Sequence, residues 1–230
     1  MRVVDLGAGT GGNLRYLAPR LKLPQQWTLL DADVGVLESV VVPEIGAPLR
    51  VEKRRLDLAQ DLEELNLEEC TLVTASAFFD LVSQDWLNRL ARKCAQANVA
   101  NGLFALSVDG RISWTPEDSD DEKIRGAFNA HMRRDKGFGS ALGALAPAAL
   151  AREFEAAGYH VWSEDSSWRL GAGDSELQLY LLQGYLEAAS EQNPGLSNMI
   201  EEWAERRRAH IARGQSKLVV GHRDVVARLD

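Results

Sequence analysis

Residues 3–13 read VVDLGAGTGGN, so a short apolar run passes directly into a loop with three glycines in five positions. An apolar run that stops at glycines predicts a buried strand, because glycine tolerates a tight turn and lets a ligand approach the backbone closely. Leu14, Leu17 and Leu21 then recur at helical spacing, which predicts a helix over 12–21. The chain therefore begins with a strand, a glycine turn and a helix, which is the first unit of a parallel sheet.

Strands and helices continue to alternate as far as residue 110. Strands are predicted at 3–6, 27–33, 49–60, from residue 70 onward and at 101–110, and a helix at 83–97. Beyond this point, helices are predicted at 120–136, 147–159, 175–192 and 196–213, a sixth strand at 159–170 and a closing strand or hairpin at 216–230. This order predicts one α/β domain over 1–230, with a doubly wound, mostly parallel sheet. The segments 111–146 and 171–215 are helical insertions after the fifth and sixth strands.

The length of 230 residues suits one domain with a full core, and the net charge of −8 disfavours nucleic acid as a partner. A basic run at 205–213 follows several acids, so we interpret it as a solvated helix face. No apolar stretch is long enough to span a membrane, and no leader peptide is visible, so a cytoplasmic protein is expected. Cys70 and Cys94 lack metal-binding spacing, and no metal site is expected.

The glycine loop matches two ligand-binding patterns. Gly7, Gly9 and Gly12 satisfy the dinucleotide pattern GxGxxG, whereas Gly11 in place of Gly12 gives GxGxG. A P-loop is excluded, because no Gly-Lys-Ser/Thr follows. Asp5 precedes the first glycine by two positions, and a carboxylate there repels a pyrophosphate and attracts an ammonium or sulfonium group. S-adenosylmethionine carries both of these cations.

At these residues the chain resembles the class I S-adenosylmethionine-dependent methyltransferases, whose first motif is similar to VVDLGAGTGG. The resemblance implies a seven-stranded sheet whose last strand is inserted antiparallel, and SKLVVGHRDVVARL at 216–229 is the candidate for that strand. It also implies that the loop passes under the methionine part of the cofactor, and that Asp5 helps to hold the amino group. The residues implied to bind there are Asp5, Gly7, Ala8, Gly9, Thr10, Gly11 and Asn13.

The resemblance extends to the ends of the next three strands. It implies that Asp31, with Ala32 beside it, binds the ribose hydroxyls, although a dinucleotide enzyme also needs such an acid. We assign Asp33 to capping the following helix. The adenine is implied to lie on Asp57 and Leu58, and the methionine moiety near Thr74, Ala75 and Ser76.

Methyl transfer from a sulfonium needs an oriented acceptor, and a base only where the acceptor arrives protonated. Substrates of such folds enter over the carboxyl ends of the strands, so the 111–146 insertion is expected to cover the substrate. His131 lies in it and is the candidate base. Residues that could shape the pocket are Arg111, Trp114, Phe128 and Phe138, whereas structural roles are expected for His160, His210 and His222.

The sequence thus predicts an S-adenosylmethionine-dependent methyltransferase that acts on a small molecule. One alternative is an NAD(P)-dependent oxidoreductase that uses the literal GxGxxG. Another is a methyltransferase-like protein that binds a cofactor or partner without turnover. In the family one or two helices usually precede the first strand and cover the cofactor. This chain starts at the strand, so we expect either a shortened start or a cover supplied by another element.

Overall fold

The computed structural model describes all 230 residues and contains one mixed sheet of eight strands, flanked by helices. The strands are β1 (Arg2–Leu6), β2 (Gln25–Asp31), β3 (Leu49–Arg55), β4 (Leu72–Ser76), β5 (Asn101–Thr115), β6 (His160–Asp165), β7 (Trp168–Leu170) and β8 (Lys217–Arg228). The α-helices are α1 (Gly12–Leu17), α2 (Val34–Glu38), α3 (Gln84–Gln96), α4 (Asp121–Met132), α5 (Ala146–Ala156), α6 (Ser175–Gln192) and α7 (Ser197–Ala212).

The strand order is β3-β2-β1-β4-β5-β8-β6, with β7 paired to β8 further along that strand. The pairs among β1 to β5 are parallel, so the carboxyl ends of these strands share one edge of the sheet. β8 runs antiparallel to all three of its neighbours. The predicted doubly wound α/β sheet with an antiparallel last strand is therefore confirmed. Because β1 lies between β2 and β4, the loop after Leu6 meets the ends of both strands.

Near the C-terminus, one strand prediction was wrong in detail and one of two alternatives for the closing segment is excluded. The sixth strand, expected at 159–170, is broken into β6 and β7, so the sheet has eight strands instead of seven. At the break, Ser166 Oγ donates to Asp224 of β8, and Ser167 Oγ donates to Asp165, the last residue of β6. The alternative hairpin around Gly221 is absent, because β8 continues through that residue.

The fifth strand is longer than the predicted 101–110. It pairs with β4 up to Ala105 and then continues with β8 alone as far as Thr115. The register of this ribbon shifts twice, between Phe104 and Ser107 and again between Val108 and Ile112. Both shifts insert extra residues in β5, whereas β8 stays regular, and such bulges bend and twist a strand pair. The ribbon therefore extends beyond the carboxyl edge of the parallel strands.

Three buried apolar clusters hold the elements together. The largest packs α3 and α5 on one face of the sheet, and a smaller one packs α1 and α2 on the other. The third, centred on Trp114 and Trp203, joins α4, α6 and α7 to the ribbon of β5 and β8. The two helical insertions thus share a core of their own above the carboxyl edge. None of the helices combines the length and apolar character needed to cross a membrane.

Candidate functional site

A cavity of about 550 Å³ lies at the carboxyl edge, where the glycine loop leaves β1. Its volume is within the range of small-molecule sites, which is roughly 300–1,000 Å³. The lining residues are Asp5, Gly7, Ala8, Gly9, Thr10, Gly12, Asn13, Tyr16, Ser76, Ala105, Leu106 and Asp224. Six of the seven loop residues predicted from the sequence therefore lie around one cavity. The seventh, Gly11, is in the same turn and begins α1 as its N-cap.

Asp5 is fully buried in β1 and faces this cavity with one carboxylate oxygen unpaired. Its Oδ1 accepts a hydrogen bond of 2.9 Å from Asn13 Nδ2, whereas its Oδ2 has no partner. Burial raises the pKa of Asp5 to about 7, and the bond from Asn13 only partly opposes this effect. An unpaired buried carboxylate oxygen is costly, so the site favours a ligand that brings a cation or hydrogen-bond donor to it.

Asn13 positions this carboxylate from the start of α1. Its amide also donates to Thr74 Oγ1 at 2.9 Å, and the Thr74 hydroxyl donates to Leu103 O at 2.7 Å. Thr74 is fully buried and does not line the cavity, so its contact with the site runs through Asn13. Ala75 is buried in the core, and the next residue, Ser76, lines the cavity.

Glycine is needed at the loop positions for different physical reasons. A Cβ on Gly7 would come within 2.6 Å of the Phe78 ring, and one on Gly11 within 2.8 Å of Val40. Gly9 also has a positive φ, of 53°, but a Cβ there would meet nothing within 4 Å. Gly7 and Gly11 are therefore required for packing, whereas Gly9 leaves open space in front of the backbone for a ligand.

Asp31 is the last residue of β2, and its carboxylate binds backbone amides of the glycine loop and of the following turn. Its Oδ2 accepts from Gly9 N at 2.9 Å, and its Oδ1 accepts from Asp33 N at 3.0 Å. Asp33 accepts from the amides of Gly35 and Val36, so the capping role predicted for it is confirmed. Asp31 and Ala32 border the loop without lining the cavity.

Asp57 and Leu58 follow β3 at the same edge but also lie outside the cavity lining. Asp57 Oδ1 accepts from Ala59 N at 3.0 Å and closes a local turn. Leu58 is buried, and its carbonyl accepts from the indole of Trp86 at 2.7 Å. The third strand ends at Arg55, so these residues belong to the turn and not to the strand predicted to reach residue 60.

His131, the predicted base, lies outside the cavity, and its Nε2 is 2.9 Å from Glu191 Oε2 on α6. Trp114 is buried in the core of α4, α6 and α7, and Phe138 packs edge-on against Trp86. Arg111 pairs with Asp109 and Asp165. None of these residues reaches the glycine-loop cavity.

The sequence analysis gave no reason to expect four of the lining residues, which are Tyr16, Ala105, Leu106 and Asp224. Asp224 Oδ1 accepts from Leu106 N at 2.9 Å and from Ser166 Oγ at 2.7 Å. These contacts tie the bulge of β5 to β8. They depend on the insertion of β8 between β5 and β6, which no local pattern reveals.

No model of a known protein family matches the chain, and no curated protein sequence matches it. Solved structures do match. A cyclopropane-fatty-acyl-phospholipid synthase-like protein from Lactobacillus casei is 12% identical, with a TM-score of 0.55 over 99% of this chain and 83% of that one. The YcgJ protein from Bacillus subtilis is 13% identical, with a TM-score of 0.52 over 100% of this chain and 92% of that one.

The mycolic acid cyclopropane synthase CmaA1, solved in complex with SAH (S-adenosylhomocysteine) and CTAB, is also similar. It is 12% identical, with a TM-score of 0.52 over 99% of this chain and 78% of that one. Identities this low report on the fold. Together with the strand order, the antiparallel β8 and the glycine loop after β1, they show that the chain has the fold of the class I S-adenosylmethionine-dependent methyltransferases.

Proposed function

We propose that this protein is an S-adenosylmethionine-dependent methyltransferase that acts on a small molecule. The observation that carries the proposal is the unpaired, buried Oδ2 of Asp5 in the glycine-loop cavity. This oxygen fits the ammonium group of the cofactor's methionine part, which supplies the charge and the donors that Oδ2 lacks. When bound, the cofactor supplies a methyl group on a sulfonium, and the protein's task is to orient an acceptor toward it.

The other residues of the site fit the same ligand. The open backbone at Gly9 admits it, and Asn13 holds Asp5 in place. Asp31 contacts the backbone of the glycine loop at Gly9, and we assign its carboxylate to the ribose hydroxyls. Asp57 and Leu58 lie outside the cavity lining, and we assign them to the adenine from their place after β3 at the same edge of the sheet. A pyrophosphate fits less well, because Asp5 and Asp31 place two carboxylates beside the loop.

A thermal-shift titration tests the cofactor. Because a ligand that binds only the native state stabilises it, a hundredfold excess over Kd adds about 2.7 kcal/mol, or roughly 5–10 °C for a domain of this size. We expect S-adenosylmethionine and S-adenosylhomocysteine to raise the melting temperature, and NAD and NADP to leave it unchanged. Stabilisation by a nicotinamide dinucleotide alone, or by none of the four compounds, would contradict the proposal.

Replacement of Asp31 separates its two assigned roles. Asp31→Ala removes the acceptor for the amides of Gly9 and Asp33, so we expect a loss of about 1–2 kcal/mol in unfolding free energy. We also expect at least about tenfold weaker binding of S-adenosylhomocysteine, measured by isothermal titration calorimetry. The matched control is Asp33→Ala, which costs about 1 kcal/mol as a lost helix cap and leaves affinity unchanged. Equal affinity in both variants would refute the ribose assignment.

A further inference from the structure

A second cavity, of about 370 Å³, lies between α6 and β8. Aromatic side chains from three elements form its walls: Phe128 of α4, Trp168 of β7, and Tyr180 and Tyr185 of α6. His222 of β8 is its only histidine, and no lysine or arginine lines it. An aromatic lining without a basic side chain favours an uncharged ring over an anion.

This cavity adjoins the glycine-loop cavity along one strand. His222 lines the second cavity and Asp224 lines the first. Both residues lie within β8, and residues two apart in a strand point to the same face with Cα atoms about 7 Å apart. β5, which pairs with β8, also lines both cavities. Its Leu106 lines the first cavity, and its Val108, which lies opposite His222, lines the second. The two cavities are thus bordered by neighbouring positions of the same two strands.

The imidazole of His222 presents a free lone pair. Its Nδ1 is 3.1 Å from the carbonyl oxygen of Val220, which only accepts, so Nδ1 carries the hydrogen. Nε2 is then the basic nitrogen of the neutral ring, and it makes no hydrogen bond within the protein. Trp168 stacks obliquely on the ring, with centroids 4.8 Å apart, and fixes its orientation.

The surroundings of His222 keep it neutral near pH 7. Burial lowers the pKa of its imidazole, and the hydrogen bond to Val220 O, together with the charges of Asp109 on β5 and Asp224 on β8, only partly opposes this effect. From α6, the titratable groups that line the same cavity are Glu187, Tyr180 and Tyr185. The Tyr185 hydroxyl is buried and has no hydrogen-bond partner. The cavity therefore offers a base and an unpaired hydroxyl to a ligand that can donate a proton.

We propose that the second cavity binds the methyl acceptor, an uncharged aromatic small molecule with a hydroxyl group, and that His222 accepts its proton. This inference rests on the methyltransferase function proposed above. The hydroxyl proton moves to Nε2 while the acceptor oxygen bonds to the methyl carbon. The sulfur–methyl bond breaks, and its electron pair stays on sulfur, so that charge and atoms balance. From the sequence, a structural role was expected for His222, and this proposal assigns it a catalytic role instead.

Binding of 2-naphthol tests whether the second cavity is the acceptor site. Gly184 lies on α6 in the cavity lining, and a Cβ there would meet nothing within 4 Å, so we expect Gly184→Phe to be tolerated and to place its ring against the ligand space. In calorimetry with S-adenosylhomocysteine present, we expect 2-naphthol to bind the wild type and to bind Gly184→Phe at least tenfold more weakly. The matched control is Gly126→Phe, an exposed glycine of α4 with equally open space outside the cavity, which should bind as the wild type does.

Methyl transfer to 2-naphthol tests the base. Loss of a general base costs roughly 10²–10⁴ in rate, so His222→Gln should lower kcat at least a hundredfold with little change in KM. The wild-type rate should rise through a pKa below the ordinary histidine value and then level off, and the variant should lack this rise.

The outcomes separate the two proposals. If S-adenosylhomocysteine binds but 2-naphthol does not, or binds Gly184→Phe equally well, the acceptor site is refuted and the proposed methyltransferase function stands. An unchanged kcat in His222→Gln refutes the base. If neither adenosyl compound binds the wild type, the proposed function itself fails.

Discussion

Asp5→Asn should weaken binding of S-adenosylhomocysteine by about thirtyfold or more, because it removes a buried charged acceptor from the ligand's ammonium group. The substitution keeps the size of the side chain and the oxygen that accepts from Asn13. The lost affinity therefore reports the charge at the unpaired Oδ2 and not a collapsed loop. Isothermal titration calorimetry at pH 8 measures it.

The same substitution should stabilise the free protein, with a defined pH dependence. The folded-state pKa of Asp5, about 7, lies above the unfolded value of about 3.9, so ionising this group costs folding free energy as pH rises between them. Asp5→Asn removes this cost, so its gain is near zero at pH 4 and on the order of 4 kcal/mol at pH 8. Urea unfolding at several pH values measures the gain, and a gain that does not grow with pH would contradict the assignment.

Ligand affinity should follow the same titration in the wild type. A cation on Oδ2 binds the ionised carboxylate better, so affinity should rise with pH up to about 7 and flatten above it. Asp5→Asn should lack this rise. A parallel pH dependence in the two proteins would place the titrating group elsewhere.

Arg207→Met should cost about 3–5 kcal/mol in unfolding free energy, because it breaks a buried ion pair from one side. The Arg207 side chain is fully buried, contacts both carboxylate oxygens of Asp121 and donates to Pro116 O at 2.6 Å. Asp121 also accepts from the Trp203 indole at 2.8 Å. This network joins α4 to α7, so its loss should loosen the inserted helices.

A double-mutant cycle and a neighbouring control isolate the pair. Combining Arg207→Met with Asp121→Asn should cost less than the sum of the single changes, because no uncompensated charge remains. Arg208→Met removes an exposed partner of Glu201 and should cost about 0.5 kcal/mol or less. Urea unfolding measures all four variants. A cost for Arg207→Met as small as that for Arg208→Met would show that the buried pair contributes little.

The candidate cofactor site was partly predictable because much of it is local. Asp5, the glycines and Asn13 lie within nine positions, so one short pattern places a carboxylate beside a turn and a helix start. The pattern did not separate the glycines by role. Gly7 and Gly11 are constrained by Phe78 and Val40, which are remote in sequence, and only Gly9 faces open space.

The acids after the second and third strands show the limit of such reasoning. Both stand at the predicted edge, but they engage backbone amides, Asp31 that of Gly9 and Asp57 that of Ala59. Strand order predicts which edge an acid occupies. Which donors satisfy its oxygens depends on loop geometry, which the apolar pattern does not encode.

The sequence by itself determined the alternating strands and helices, the parallel half of the sheet and the glycine turn, because apolar spacing and turn residues act over short distances. Tertiary structure decided the rest. The ribbon of β5 and β8 brings Leu106 to Asp224 across 118 positions, and it places His222 in an aromatic cavity beside the glycine loop. Contacts between residues so far apart in sequence depend on strand pairing and bulges, and the residues next to each position in the sequence do not determine either.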